Sequence, residues 1–314
     1  MLFLGRSLFA MPYCLLSFGS NLGDRFARIR RAAAAIADHD QVRNFVASRL
    51  YETPPIGGPK GQEPFLNGVA RIETSLGADD VLRLLQQIEH DLGRERAVRW
   101  DARAIDLDVV LYGDLQGENR RLAVPHPRYM ARRFVLIPAA EIAAAWRDPR
   151  IGWTIAQLAQ HLEQAPPSLA LTGGTQEMRE SLCHALHERF GVTVFMESTP
   201  GVPPHVRVPW VASFLPAIPF PACSSPAAAD QTMGLSRMGN SPRLIAHLQW
   251  TTPESRWPAT HQIWHSDLSW PQYRLEIDSP QWAAAELASA LLSMNCPLAP
   301  VTDNGLWYVD ERVD

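Results

Sequence analysis

A chain of 314 residues is long for one compact domain, so its length alone predicts two domains. Hydrophobic residues make up 46% of the chain, enough to build packed cores, which excludes a wholly disordered protein. A formal net charge of -4 gives no global sign of a protein that binds nucleic acid or a membrane surface.

The first residues and the cysteines bear on where the protein works. The apolar start is broken by Gly5, Arg6 and Ser7, and no later run reaches the roughly 18 apolar residues of a membrane span. The cysteines lie far apart, without a CxxC pair, which favours isolated thiols in a reducing compartment. They are Cys14, Cys183, Cys223 and Cys296. We therefore expect a cytoplasmic protein, with Met11 as an alternative start.

The first half of the chain alternates strand and helix patterns. Short runs of apolar and β-branched residues predict strands at residues 13–18, 42–51, 66–73 and 105–112. Apolar residues at helical spacing predict helices at residues 24–39, 81–92, 134–142 and 154–162. A loop rich in proline and glycine at residues 53–64 is long enough to suggest a function, and a charged connection spans residues 93–103.

After a linker at residues 164–168 the alternation restarts. Strands are predicted at residues 169–172, 192–196, 243–248 and 273–277. Helices are predicted at residues 176–190 and 281–294, and a proline-dense stretch covers residues 200–226. The domains are therefore expected at residues 12–164 and 168–314.

Two acids stand out in the last predicted strand of the first half. Side chains alternate along a strand, so Asp106 and Asp108 point to one face and repel each other unless a cation lies between them. Mg²⁺ prefers such hard oxygen ligands and completes its shell with phosphate oxygens and water. The alternative is a solvent-facing strand that carries two unrelated acids.

Basic side chains surround the acid pair in the sequence. Arginine forks suit phosphate oxygens, although an ordinary solvated basic loop has the same composition. The arginines are Arg94, Arg96, Arg99, Arg103, Arg121, Arg132 and Arg133. His126, held between two prolines, could also bond a phosphate oxygen, or it could be a simple turn residue. A carboxylate pair beside these cations is the composition expected for a bound nucleoside triphosphate.

Six segments resemble, in order and spacing, the successive motifs of the hydroxymethyldihydropterin pyrophosphokinase family. They are GSNL at residues 19–22, YETPP at 51–55, FLN at 65–67, RWDARAIDLD at 99–108, VPHP at 124–127 and RRFVL at 132–136. The RW-x-x-R-x-IDLD block is highly specific, whereas GSNL or PHP alone would be weak. The resemblance covers residues 13 to about 163.

This resemblance implies an α+β ferredoxin-like sandwich that moves the pyrophosphoryl group of ATP to the hydroxymethyl oxygen of the pterin and releases AMP. Asp106 and Asp108 match the acids that hold two Mg²⁺ ions, and Trp100 and Arg103 match a loop that closes over the substrates. The triphosphate would be gripped by Arg94, Arg96, Arg103, Arg121, His126 and Arg132. The resemblance thus implies a catalytic set of Arg94, Trp100, Arg103, Asp106 and Asp108.

The family resemblance also implies a pterin site. Phe65 and Phe134 match the two aromatic rings between which the pterin stacks. The polar edge of the pterin would be read by Asn67 and by the loop residues Thr53, Pro54 and Ile56. Gln86 and Glu89 match helix positions near the same site.

The sequence departs from the family in the loop before the acids, where the usual Trp-Gly-Pro-Arg is Trp100-Asp101-Ala102-Arg103. We expect activity to survive with altered loop kinetics. A non-catalytic pterin- or nucleotide-binding protein is the alternative, and the intact acids, Arg103 and His126 favour the enzyme. Only small-molecule substrates are expected as partners, with no nucleic acid or membrane.

The second half has a weaker resemblance, to a nucleotide kinase with a phosphate-binding P-loop. A strand, a glycine turn and a helix meet at residues 169–181, and the pattern G-x-x-x-x-G-K-S can be laid on residues 174–181. Arg179 then replaces the second glycine, and Glu180 replaces the lysine, which reverses the charge that phosphates need. We expect an α/β P-loop-kinase-like domain with a degenerate phosphate loop. A structural role is favoured over a binding or oligomerisation module and over an active kinase.

Overall fold

The computed structural model describes residues 11–59, 61–93, 103–119, 121–198, 206–216, 241–250, 269–277 and 279–309. Two large sheets organise this part of the chain, an antiparallel one in the first half and a parallel one in the second. Together with their helices they form a mixed α/β protein. Within the described ranges, no helix is long and apolar enough to cross a membrane.

The first sheet is built from five strands of the first half, later joined by a sixth. They are β1 (Tyr13–Ser20), β2 (Val42–Ala47), β3 (Tyr51–Thr53), β4 (Phe65–Thr74) and β5 (Asp106–Tyr112). The order runs β3-β4-β1-β5, β2 also pairs with β4, and every pair is antiparallel. A small hairpin follows, with β6 (Gly117–Glu118) and β7 (Ala123–Val124).

Four helices accompany this sheet, and local signals set their ends. They are α1 (Arg25–Ala37), α2 (Ala78–Asp91), α3 (Arg133–Ala143) and α4 (Ile155–Glu163). The Asp24 carboxylate caps α1 by accepting the Ala27 N–H, and Thr154 and Gln157 form a capping box on α4. Gly93 follows α2 with a φ of 85°, the left-handed conformation that stops helices.

The second sheet is parallel throughout. Its strands are β8 (Ser168–Thr172), β9 (Thr193–Phe195), β10 (Trp210–Ala212), β11 (Leu244–Trp250) and β12 (Gln272–Ile277). They lie in the order β12-β11-β8-β10-β9, so the first strand in the sequence lies in the middle of the sheet. Its helices are α5 (Gln176–Phe190) and α6 (Pro280–Met294).

The chain then returns to the first sheet. Strand β13 (Ala299–Pro300) pairs antiparallel with β3, and Trp307 is buried in the core between the first sheet, α1 and α2. Gly305 passes so close to the backbone that a Cβ there would lie 1.9 Å from the Ala47 carbonyl oxygen, which only glycine permits. A second core runs continuously from the first sheet through α3 and α4 to the second sheet. Residues 299–309, expected in the second domain, therefore pack on the first.

The observed strands differ from the predicted ones in several places. The strand predicted at residues 42–51 is divided into β2 and β3, because the Leu50 backbone hydrogen-bonds to Val301 and Thr302 of the returning chain. Strand β10 lies within the stretch predicted only as proline-dense. Strand β13 has no local signal, since its two residues pair only through tertiary structure.

Candidate active site

The two acids of β5 face the same side of the first sheet. Asp106 lies opposite Gly19 and Asp108 opposite Ser17 on β1. The backbone N–H of Leu107 between them donates to the Glu89 carboxylate of α2 at 2.8 Å. This hydrogen bond joins α2 to β5 between the two acids. A Cβ on Gly19 would lie 3.1 Å from Asn67 Oδ1, so glycine leaves space beside the acids.

Each acid is paired with a cation from the predicted phosphate-binding set. Arg103 Nη1 donates to Asp106 Oδ2, and Arg132 Nη1 lies 3.2 Å from Asp108 Oδ2. Burial opposes the charge of Arg103, but Asp106 and Asp108 raise its pKa above the ordinary value. The guanidinium therefore stays charged in a partly buried position.

His126 is a neutral hydrogen-bond donor in this arrangement. Burial and the nearby Arg132 and Arg128 charges lower its pKa well below the ordinary value. The Nδ1 atom accepts the Arg128 backbone N–H at 3.1 Å, so the ring proton of the neutral imidazole is on Nε2. Nε2 lies 3.9 Å from Asp108 Oδ2, facing the acids.

A first cavity of about 170 Å³ opens beside Asp106. It brings together all six residues predicted to bind the pterin, which are Thr53, Pro54, Ile56, Phe65, Asn67 and Phe134. Asn67 Nδ2 donates to Thr53 Oγ1 at 2.8 Å, and the Arg132 guanidinium lies 5.9 Å from the centre of the Phe134 ring. Two aromatic rings and a fixed amide thus share one cavity.

A second cavity of about 260 Å³ lies on the side of Asp108. Arg121 and His126, both predicted to bind ATP, are among the residues that line it. Arg128 lines both cavities, whereas Asp106 lines the first and Asp108 the second. The acid pair therefore lies where the two cavities approach each other.

Several residues at these cavities are absent from the sequence prediction. Arg128 directly follows the Pro-His-Pro motif, which could have singled it out. Five more come from the second half: Arg274, Glu276, Glu286, Ser289 and Ser293. Three predicted residues, Arg94, Arg96 and Trp100, lie outside the residues that the structure describes, as do Asp101 and Ala102 of the altered loop.

The donor set of the acid pair fits Mg²⁺. Two carboxylates face the adjoining cavities, and hard oxygen atoms are the ligands that this ion prefers. No group of three or more His, Cys, Asp or Glu side chains gathers as a metal site among the described residues. Mg²⁺ bound at this pair would complete its shell with phosphate oxygens and water, as it commonly does.

The glycine turn of the second half does not form a phosphate cradle. Helix α5 begins at Gln176, two residues after Gly174, so the positions aligned with the end of the P-loop are already helical. Arg179 turns back and donates to the carbonyl oxygens of Gly173 at 3.2 Å and Ser213 at 2.6 Å. It also pairs with Glu197 at 2.6 Å, so the chain itself supplies its partners.

Comparison with known proteins gives matches to the first half. Residues 15–144 match the family model described as 7,8-dihydro-6-hydroxymethylpterin-pyrophosphokinase (HPPK). The 2-amino-4-hydroxy-6-hydroxymethyldihydropteridine pyrophosphokinase of Bacillus subtilis is 46% identical over 127 residues, which are 40% of this chain and 75% of that protein. The Synechocystis protein of the same name is 35% identical over 167 residues, 52% of this chain and 85% of that protein.

A solved HPPK-DHPS structure in complex with substrates is 13% identical to this chain. The match covers 58% of this chain and 45% of that one, with a TM-score of 0.37. A likeness this low has no bearing on the fold.

Proposed function

The chain belongs to the 7,8-dihydro-6-hydroxymethylpterin pyrophosphokinase family, and on that premise we propose that it transfers pyrophosphate from ATP to 6-hydroxymethyl-7,8-dihydropterin. The products are the pterin diphosphate and AMP, and the reaction is a step of folate biosynthesis. The observation that carries the proposal is the position of Asp106 and Asp108 between two cavities, with Arg103, Arg132 and His126 around them.

In the proposed reaction, the hydroxymethyl oxygen of the pterin attacks the β-phosphorus of ATP in line with the leaving AMP. Asp106 and Asp108 would hold two Mg²⁺ ions, and these ions would neutralise the negative charge on the phosphoryl oxygens. Arg132 at the first cavity and the Nε2–H of His126 at the second would donate to phosphate oxygens. Positioning and charge stabilisation of this kind need no covalent chemistry from the protein.

The first cavity would hold the pterin between Phe65 and Phe134. Stacking contributes roughly 0.5–1.5 kcal/mol per aromatic pair beyond burial. The Asn67 amide nitrogen donates to Thr53, and the amide oxygen would accept an N–H of the pterin edge. The loop residues Pro54 and Ile56 would enclose that edge.

The remaining predicted residues would complete the site around the triphosphate. Arg121 lines the second cavity and would contact ATP there. Arg94, Arg96 and Trp100 would join from the loop that precedes Arg103, as the family resemblance implies. With Arg103 and the acids, this loop would exclude water, which otherwise competes for ATP.

We also propose finer descriptions of the two folds. The antiparallel order of the first sheet supports a ferredoxin-like sandwich for residues 12–164. The parallel order of the second sheet, with its first strand in the sequence, β8, in the middle, supports a P-loop-kinase-like domain from residue 168. The short turn at Gly174, and the hydrogen bond from Arg179 to the carbonyl oxygen of Gly173, support a degenerate phosphate loop and a structural role.

The buried free thiols bear on where the protein works. Thiols such as that of Cys14 support a reducing, cytoplasmic setting.

The test is AMP formation from ATP by the full-length protein, with and without the pterin, in Mg²⁺ and in EDTA. We expect pterin- and Mg²⁺-dependent AMP that is lost in an Asp106→Ala/Asp108→Ala variant and retained in the exposed control Asp114→Ala. Folded protein that binds the pterin but forms no AMP would instead support the non-catalytic alternative.

A further inference from the structure

We propose that the second half of the chain completes the active site of the first, with helix α6 as a wall of the pterin cavity and Glu286 as a positioning residue for Arg128. This inference rests on the proposed function. It assigns a role in substrate binding and turnover to a half of the chain that lies outside the matched family region, residues 15–144.

Helix α6 presents an unusual polar face to the first cavity. Most of the helix is alanine and leucine, and residues such as Ala284 and Leu287 are buried in the shared core. Glu286, Ser289 and Ser293 recur at spacings of three and four residues, so they lie on one face. All three line the cavity that also contains Phe65, Asn67 and Asp106.

Such polar residues are costly where two halves of a protein merely pack together. A buried hydroxyl or carboxylate needs hydrogen-bond partners, and apolar side chains would seal the same interface at lower cost. Ser289 is half-buried and its small side chain leaves the cavity open. The face of α6 therefore suits a polar heterocyclic ligand better than it suits plain packing.

Glu286 is held in a defined position at this face. Its side chain is 5% exposed, and its two oxygens accept hydrogen bonds at 3.1 Å from Arg128 Nη1 and from the Tyr273 hydroxyl. Arg128 is the residue that lines both cavities. A fixed carboxylate on α6 thus sets where the guanidinium lies between the two substrates.

Strand β12 supports the same loop from the other side. The backbone N–H of Arg274 donates to the carbonyl oxygen of Pro127, the residue after His126, at 3.3 Å. The Arg274 side chain is 5% exposed and pairs with Glu276 at 2.9 Å and with Glu118 of the first half. The loop that carries His126 and Arg128 is therefore anchored to the second sheet.

The first experiment replaces Glu286 in the full-length protein and follows steady-state AMP formation. We expect Glu286→Gln to lower kcat by about tenfold to a hundredfold, because a small displacement of a positioned group has effects of that size. If Glu286 acts through Arg128, the double variant Glu286→Gln/Arg128→Gln is no slower than Arg128→Gln alone. The matched control is Glu197→Gln, which removes a carboxylate from another Arg–Glu pair of the second half.

A merely structural role for Glu286 would give a different result. The melting temperature would then fall while kcat of the remaining folded enzyme stayed unchanged. A kcat that falls in Glu286→Gln, and falls further in the double variant than in Arg128→Gln alone, would show that Glu286 does not act through Arg128. Either result would overturn the positioning role.

The second experiment tests the wall of the cavity without disturbing the ion pair. We expect Ser289→Phe to raise the KM for the pterin by about tenfold or more and to leave the KM for ATP unchanged, because the added ring occupies the pterin cavity. Leu292→Phe, on the exposed face of the same helix, is the control and should behave like the wild type.

The two proposals fail in different ways. Without pterin-dependent AMP from the wild-type protein, the proposed function fails. If the wild type is active and both Glu286→Gln and Ser289→Phe have its kinetic constants, the proposed function stands and the role of the second half is overturned.

Discussion

The indole Nε1–H of Trp307 donates a hydrogen bond to the backbone carbonyl oxygen of Ser48 at 2.7 Å. The Trp307 ring also lies edge-on to Phe18, with 6.4 Å between ring centres. Ser48 in turn exchanges backbone and side-chain hydrogen bonds with Val69 of β4. The end of the chain thus closes the core of the sheet that carries the candidate active site.

Replacing this tryptophan should destabilise the first half. We expect Trp307→Ala to lower the free energy of unfolding by about 3–5 kcal/mol, because a large buried side chain and a hydrogen bond are both removed. Denaturant unfolding measures the change. Leu306→Ala, at a side chain that is 66% exposed, is the control, and equal unfolding midpoints for the two variants would contradict the buried role.

Acid should destabilise the protein through His161. Burial, followed by the Arg243 charge, lowers the pKa of His161 to about 3 in the folded protein. Between about pH 3 and pH 6.5, the unfolded chain therefore binds a proton at His161 that the folded chain does not bind. The contribution of His161 to the free energy of unfolding is fully present above about pH 6.5 and is lost as the pH decreases toward 3.

The His161→Gln variant tests this linkage. Between pH 4 and 6, the slope of unfolding free energy against pH should decrease by about 1.4 kcal/mol per pH unit, the value for one proton. The exposed His184→Gln serves as the control. An unchanged slope in His161→Gln would show that His161 is not the group responsible.

His126 should act as a hydrogen-bond donor without titrating in the physiological range. Its pKa lies well below the ordinary value because of burial and the charges of nearby arginines, so the neutral ring persists from pH 6 to 8. We expect His126→Ala to lower kcat/KM for ATP by roughly tenfold to a hundredfold, as for a lost hydrogen bond to a charged group. The shape of the pH–rate profile over that range should match the wild type, and an inflection that disappears in the variant would argue against a neutral His126.

The second half should not gain a nucleotide site by restoring the missing lysine. Glu180→Lys reintroduces the charge of a P-loop, but α5 already begins at Gln176 and leaves no loop of backbone N–H groups. We expect one ATP analogue bound per chain in both wild type and variant, measured by equilibrium dialysis. A second bound equivalent in the variant would show that charge alone had been missing.

Local sequence patterns predicted many of the helices and strands. The helix predicted at residues 176–190 is found at Gln176–Phe190, because its capping residue, apolar spacing and final glycine are all neighbours in sequence. The strand with Asp106 and Asp108 was predicted on the same grounds, since alternation along one strand decides which side chains share a face. The order and spacing of the motifs indicated the family.

Contacts between distant parts of the chain could not be predicted in this way. No residue near Arg128 in the sequence indicates that its partner is Glu286, which is 158 positions away. The division of the strand predicted at residues 42–51 depends on hydrogen bonds between Leu50 and the distant residues Val301 and Thr302. The polar face of α6 can be interpreted only beside the first cavity. The sequence by itself determined the helices, most of the longer strands, the acid pair and the family. Only the tertiary structure decided that both halves line the cavities. This depends on how two sheets that lie far apart in the sequence pack together.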